Sequence, residues 1–204
     1  MFKKLAADAL GLSDIGSIIS PEDFGKADAD DYVMHEEDEK IFFLIKSKTD
    51  EYCFTDRALI HLDGTSATSK KRMLYRYPYY RHVIHNVKLE TAGTMDLDVE
   101  IKFYLENQSF SIDVDKKQIE PLKDLYKALL KIEEIQAENK IYKEMANRTL
   151  ELSVGALGRV NKNDLQMDEQ AKKLNDYAWS WLTGARNKYV IKNFAPVFEK
   201  FINN

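Results

Sequence analysis

The chain has 204 residues, 44% of them hydrophobic, which is enough for one ordinary core with an appendage or for two small domains. Its 30 basic and 34 acidic residues give a net charge of −4, which excludes a strong overall attraction to nucleic acid or to anionic membrane. Cys53 is the only cysteine, so an intramolecular disulfide and a cysteine-rich zinc site are excluded, and a reducing cytoplasm is the expected location.

Residues 1–35 are predicted to form a helical lead and the start of an acidic loop. Apolar residues recur at helical spacing from Phe2 to Leu10, and Gly11 then marks a helix end. The segment from Ser20 to Asp23 has the composition of a helix start, with a first-turn proline and early acids. Seven acids between residues 28 and 39 predict a solvated loop.

Residues 36–136 show the pattern of a β-domain closed by a helix. Seven short segments have the composition or the alternation of strands, and the connections between them are too short for parallel crossovers. An apolar stripe at helical spacing then runs from Ile119 to Ile132. The predicted fold class is therefore α+β, an antiparallel barrel or roll capped by a C-terminal helix. The predicted strands are 41–45, 52–55, 58–62, 72–77, 83–89, 97–105 and 110–114.

Residues 137–204 are predicted to be an all-helical extension, because the composition changes near residue 137. Gly155 and Gly158 interrupt its pattern, and Pro196 requires either a helix that starts near Asn193 or a kinked helix. Two apolar stripes follow, and either could pack within the chain or between subunits. The candidate subunit-interface residues taken from these stripes are Leu174, Tyr177, Trp181, Phe194 and Phe198.

Three carboxylates stand at alternate positions of one predicted strand, Asp96, Asp98 and Glu100, so they share a face. Such a row could hold a hard cation or serve as the acid and base of a hydrolase. The opposite face is fully apolar, and this alternation favours the simpler interpretation that the acids are the solvated side of an amphipathic strand. We therefore expect no catalytic residue, no metal and no cofactor.

A basic segment precedes a run of tyrosines, with no acid between them. Cations among aromatic side chains can bind phosphates, either in single-stranded nucleic acid or in anionic lipid headgroups, or can pair with neighbouring strands. Nucleic acid is not the expected partner, and anionic lipid is the alternative retained, with the protein peripheral to the inner face of the membrane. The candidate anion-binding residues are Lys46, Lys48, Lys70, Lys71 and Arg72.

Two phrases in fixed order, Tyr77-Pro78-Tyr79 and Glu90-Thr91-Ala92-Gly93, resemble the bacterial pleckstrin-homology (PH) domain family between about residues 36 and 131. Residues 140–204 are similar to a YvbH-like oligomerisation region. The resemblance implies two packed antiparallel sheets of seven strands, a plugging helix, symmetric homo-oligomers and no catalytic group. Eukaryotic relatives of the fold bind phosphoinositides through basic residues after the first strand, but here Lys46 and Lys48 are followed by two acids.

The leading hypothesis is therefore a noncatalytic PH-like module that assembles with itself and docks another protein. The residues of the two phrases are expected to shape the backbone rather than to bind a partner: Pro78 ends a strand, and Gly93 permits a turn. The alternative hypothesis is a peripheral binder of anionic lipid, and the remote alternative is a hydrolase or metal-dependent enzyme that uses the strand carboxylates.

Overall fold

A computed structural model describes residues 14–64, 72–91, 97–160 and 167–202. The predicted N-terminal helix at residues 2–10 lies outside the described residues. So do five residues singled out from the sequence: Lys70, Lys71, Ala92, Gly93 and Asp96.

Two antiparallel sheets form the β-domain, and the predicted PH-like fold class is confirmed. The first sheet has the order β1-β2-β3-β4-β5, and the second has the order β6-β7-β8. The seven predicted strands are all present, and the described residues add one short strand, β1, before them. The strands are β1 (Ser17–Ile18), β2 (Ile41–Lys46), β3 (Glu51–Thr55), β4 (Ala58–Gly64), β5 (Arg72–Pro78), β6 (Ile84–Glu90), β7 (Asp98–Leu105) and β8 (Gln108–Asp115).

Gly16 joins the two sheets beside β1. Its N–H donates to the Asp113 carbonyl at 2.8 Å, and its own carbonyl accepts from the Asp115 N–H at 3.0 Å. A Cβ at this position would lie 2.7 Å from a methyl carbon of Ile45. Only glycine therefore allows β1 and β8 to approach closely enough to close this side of the barrel.

The burial of each strand follows its sequence pattern. In β7, Val99, Ile101 and Phe103 are buried and alternate with less buried polar neighbours, as expected of a strand with one solvated face. In β2, the residues from Phe42 to Ile45 are all buried, because elements cover both faces of this strand. The continuous apolar run of β2 predicted this second arrangement.

The acidic segment is not the solvated loop that its charge predicted. It follows a 3₁₀ helix at Pro21–Lys26 and forms two more, Asp28–Tyr32 and His35–Glu37. Ala29 and Val33 are buried against the first sheet. The prediction was wrong because the two small apolar residues that dock the segment are outnumbered by acids that point outward.

Three α-helices complete the described chain: α1 (Ile119–Val160), α2 (Met167–Tyr189) and α3 (Ala195–Ile202). The predicted stripe at the start of α1 is buried, including Leu122, Leu125 and Ile132. The helix then continues without a break through Gly155. A glycine in a helix interior costs only about 1 kcal/mol relative to alanine, which a helix of this length tolerates.

The chain forms two structural units. The barrel unit contains the described residues up to Glu133 together with those from Lys192 onward, and the helical unit contains Glu134–Ile191. The division falls close to the predicted boundary at residue 137, but the last residues lie with the barrel unit rather than with the extension. Among the described helices, none has the length and the hydrophobicity that a membrane span requires.

Candidate interaction surfaces

Helix α3 packs on the barrel unit through two phenylalanines. The Phe198 ring stacks on the Phe42 ring of β2 with centroids 5.3 Å apart, and the Phe194 ring meets the Tyr79 ring edge-on at 5.8 Å. The Phe194 N–H also donates to the Asp56 carbonyl at 2.7 Å. These contacts attach the end of the chain to the first sheet.

Asn193 caps α3. Its side-chain oxygen accepts from the Ala195 N–H at 2.8 Å, and its side-chain amide donates to the buried Asp56 carboxylate. The Ala195 N–H is the first of α3 and has no partner within the helix, so the Asn193 side chain satisfies it. The helix start near Asn193 that Pro196 predicted is therefore observed.

The placement of Phe194 and Phe198 differs from the predicted subunit interface. Both rings are buried within the chain's own barrel unit, so their apolar surface is already covered. Apolar residues at helical spacing indicate that one face of a helix is buried, but they do not identify the surface against which that face packs.

The Tyr77-Pro78-Tyr79 phrase builds one wall of the surface that receives α3. Strand β5 ends at Pro78, and the Pro78 carbonyl accepts from the N–H groups of Arg81 and His82, each at 3.0 Å. This turn directs Tyr79 inward, where it is buried. Burial raises the pKa of the Tyr79 hydroxyl well above its ordinary value. The phrase therefore has an architectural role at this corner.

Two of the candidate anion-binding cations are engaged by one buried carboxylate. Glu51 lies 2.6 Å from the Lys46 ammonium and 3.3 Å from the Arg72 guanidinium, which also pairs with Asp28 at 2.6 Å. Lys48 lies in the connection from β2 to β3. The ion pairs reduce the positive charge that Lys46 and Arg72 offer to a lipid headgroup. Lipid binding stays a prediction.

The carboxylates of β7 belong to a surface network. Glu100 lies 2.7 Å from the Lys102 ammonium and accepts from the Ser111 hydroxyl, and Lys102 lies 2.7 Å from Glu90 on β6. Burial raises the pKa of Glu100, but the bonds from Lys102 and Ser111 outweigh it, and the net pKa is lowered. Within the described ranges, no three His, Cys, Asp or Glu side chains are grouped to hold a metal ion.

An exposed apolar stripe runs along the second half of α1. Ile141, Met145 and Leu152 have exposed fractions of 57%, 58% and 67%. With Arg148 between them they follow spacings of four, three and four residues, which place side chains on one face of a helix. Large apolar residues aligned and exposed in this way are typical of a helix that packs against another helix.

Helix α2 packs on a different face of α1. The Trp181 indole N–H donates to the Ala146 carbonyl at 3.1 Å, and the rings of Tyr142 and Tyr189 stack at 5.6 Å. This packing leaves the stripe of Ile141, Met145 and Leu152 uncovered.

Three of the predicted interface residues lie on α2. Tyr177 and Trp181 have ring centroids 6.2 Å apart and line a groove of about 380 Å³ against α1, while Leu174 is half-buried. Their role in subunit contacts stays a prediction. The stripe on α1 was not predicted from the sequence, although apolar residues at spacings of four, three and four indicate one face of a helix.

The comparisons with known proteins agree with this architecture. The family described as "Bacterial PH domain" matches residues 9–133, and the family described as "YvbH-like oligomerisation region" matches residues 144–204. The uncharacterized protein YvbH of Bacillus subtilis (strain 168) is 58% identical over 204 residues, which cover all of both chains. The uncharacterized protein YjqA of the same strain is 33% identical over 94 residues, 46% of this chain and 74% of that protein.

A solved structure is also similar over most of the chain. The crystal structure of a PH domain containing bacterial protein from Exiguobacterium sibiricum 255-15 has a TM-score of 0.87 and 54% identity. The similarity covers 93% of this chain and 100% of that one.

Proposed function

The chain belongs to the bacterial PH domain family, and from this premise we propose that it is a noncatalytic interaction module that assembles with copies of itself through its helical unit. The barrel unit of each copy then docks another protein. In an assembly several barrel units are held together, and this raises the effective concentration of any weak docking site they carry.

The exposed stripe on α1 is the observation that carries the proposal. Ile141, Met145 and Leu152 hold three large apolar side chains in water on a face that α2 does not cover. Burying each of them gains on the order of 1–2 kcal/mol, and a two-fold symmetric contact counts each residue twice. Met145 and Leu152 also lie within residues 144–204, the range that matches an oligomerisation region.

Arg148 fits the same arrangement. It occupies the one position in the four-three-four pattern that is not apolar. A single polar residue in such a seam lowers stability but limits the registers in which two helices can pair. We expect the assembly to have one defined register and a defined subunit number.

Light scattering after size exclusion tests the proposal on the full chain. The wild-type protein is expected to have the mass of a defined oligomer, and Leu152→Lys to have a smaller mass because two buried charges face each other in a symmetric contact. Asn147→Lys is the matched control, because it adds the same charge at an exposed position of α1 outside the stripe. A monomeric wild type, or a Leu152→Lys protein of wild-type mass, would contradict the proposal.

A further inference from the structure

A cleft of about 480 Å³ opens on the barrel unit beside the end of β5. We propose that it binds a small organic anion, in which a carboxylate or phosphate is attached to an apolar or aromatic group. This site is separate from self-association, since its walls belong to the barrel unit and the stripe on α1 belongs to the helical unit. It also lies at the other end of β3 from the Lys46–Glu51 connection, because Arg57 lies two residues after the last residue of that strand.

One side of the cleft is apolar. Met34, Pro78 and the Tyr80 ring contribute to its lining. The Tyr80 ring is flanked by two cations, with the Arg81 guanidinium carbon 5.3 Å and the Lys192 ammonium 5.8 Å from its centroid. These contacts attract both cations to the ring and favour positive charge at the edge of the apolar wall.

Lys192 supplies a cation that is not neutralised by an acid. The side chain is exposed and lines the cleft, and within the described residues it makes no ion pair. Because an unpaired ammonium at the rim of a cleft attracts anions, Lys192 favours an anionic ligand over a neutral one.

Arg57 supplies a second cation, which pairs with an exposed acid. Its guanidinium donates to the Glu37 carboxylate at 3.1 Å, and the Glu37 side chain is 67% exposed. The guanidinium also donates to the Glu37 carbonyl, and its Nε lies 3.6 Å from the buried Asp56 carboxylate, so a ligand would displace the Glu37 side chain only. An exposed ion pair of this kind contributes only about 0–1 kcal/mol. A ligand carboxylate or phosphate that fills the cleft can therefore replace Glu37 on Arg57 at little cost.

Arg76 also lines the cleft, and the buried Glu39 carboxylate holds one end of its guanidinium. Its Nη2 donates to both oxygens of Glu39, at 2.8 and 2.9 Å. Its Nη1 is buried and has no hydrogen-bond partner among the described residues. Arginine presents its donors as a planar fork that matches the geometry of carboxylate and phosphate oxygens.

The size and composition of the cleft define the ligand class. Small-molecule sites are typically about 300–1,000 Å³, with mostly apolar walls and a few convergent polar groups. Here a space of that size is lined both by apolar groups and by the cations Arg57, Arg76 and Lys192. Such a site fits a small acid with an apolar body better than it fits a bare inorganic ion.

Methyl NMR of the full chain, with ¹³C on its methionine methyl groups, tests the site directly. Met34 lines the cleft, and Met73 and Met145 lie elsewhere and serve as internal controls. We expect 3-phenylpropionate and phenyl phosphate to shift the Met34 signal alone, and the neutral 3-phenylpropionamide and inorganic phosphate to bind at least about 10-fold more weakly. A preference between the two organic anions distinguishes a carboxylate ligand from a phosphate ligand.

Two variants with opposite expected effects sharpen the test. Lys192→Gln removes the unpaired cation and is expected to weaken binding about 10-fold, whereas Glu37→Gln removes the competing acid and is expected to tighten it about 3-fold. Lys200→Gln and Glu36→Gln make the same charge changes at exposed positions outside the cleft and are expected to leave affinity within about 2-fold.

Three results would overturn the proposal. The first is an unchanged Met34 signal with both organic anions up to about 10 mM. The second is equal binding of the amide and the carboxylate. The third is an equal change in ligand affinity for the variants and their controls, which would show that affinity depends only on the overall charge of the protein. Since Met34 belongs to the barrel unit, each result is independent of whether the chain assembles.

Discussion

Glu51 is a buried carboxylate that connects three other segments of the barrel unit to β3. One of its oxygens accepts from the Ala29 N–H at 2.8 Å, and the other pairs with Lys46 on β2 and Arg72 on β5. Burial alone would raise its pKa, but these bonds outweigh burial, and the pKa lies below its ordinary value of 4.5. The charged form of Glu51 is therefore the form that the fold stabilises.

We expect Glu51→Gln to lower the free energy of unfolding at pH 7 by about 2 kcal/mol, because charge-assisted hydrogen bonds to Lys46 and Arg72 are lost in a buried site. Urea denaturation measures this change. Glu138→Gln, at an exposed position of α1, is the control and should change stability by less than about 0.5 kcal/mol. Equal stability of the two variants would contradict this role of Glu51.

The same contacts predict a pH dependence. A carboxyl group whose pKa is lowered by folding contributes stability above its unfolded pKa, and that contribution is lost as pH falls through the folded pKa. The stability difference between wild type and Glu51→Gln should therefore be constant above about pH 5 and shrink below pH 4.5. Urea denaturation at a series of pH values tests this, and a difference that grows on acidification would contradict it.

Among the elements, α3 is short, and Phe198 is its one buried residue. The helix has eight residues, and its attachment depends mainly on Phe194 and Phe198. We expect Phe198→Ala to lower the free energy of unfolding by about 3–5 kcal/mol, since it removes a ring stacked between Phe42 and Tyr79 and leaves a cavity. Chemical denaturation measures the change.

Phe201→Ala provides the matched control on the same helix. Phe201 is only partly buried, so the same truncation should cost less than half as much. If the two variants lose equal stability, α3 does not dock through the face that contains Phe198.

The elements that the sequence predicted well are those whose pattern is decided locally. Alternation along β7 and the apolar run of β2 predicted both strands and their burial. Successive side chains of a strand point to opposite faces, so the order of polar and apolar residues indicates which faces are buried. The segment at residues 28–39 was predicted poorly, since its docking depends on a hydrogen bond from Ala29 to Glu51, far along the chain. Gly155 was a false signal, because a long helix tolerates a glycine.

The candidate sites were harder to predict than the strands, because their residues come together only in the folded chain. Arg57, Arg76 and Lys192 were not among the candidate residues, as the three are far apart along the chain. Lys192 and Asn193 line the cleft because the segment before α3 returns to the barrel unit. No local pattern around residue 192 contains that information.

For the whole molecule, the return of the chain to the barrel unit predicts that the last residues stabilise it even as a separate peptide. A chain that ends at residue 136 lacks α3 and exposes Phe42 and Tyr79. We expect its thermal unfolding midpoint to lie below that of the full chain and to rise when a peptide of residues 191–202 is added, because a ligand of the folded state stabilises it.

The same peptide with Phe198→Ala is the control for this experiment and should leave the midpoint unchanged. A midpoint of the truncated chain that does not respond to the wild-type peptide would contradict the prediction that α3 recognises its surface independently of the covalent connection.

The helical unit is, in covalent terms, an insertion whose two ends are held by one folded body, at Glu133 and at Lys192. Lengthening a connection between fixed ends costs little, because the closure entropy grows only with the logarithm of its length. The insertion can therefore gain or lose helical turns, or be exchanged for another, while the strands on either side keep their register. If the chain assembles as we propose, variation in the helical unit would change the number of copies in the assembly and leave the proposed cleft of the barrel unit as it is.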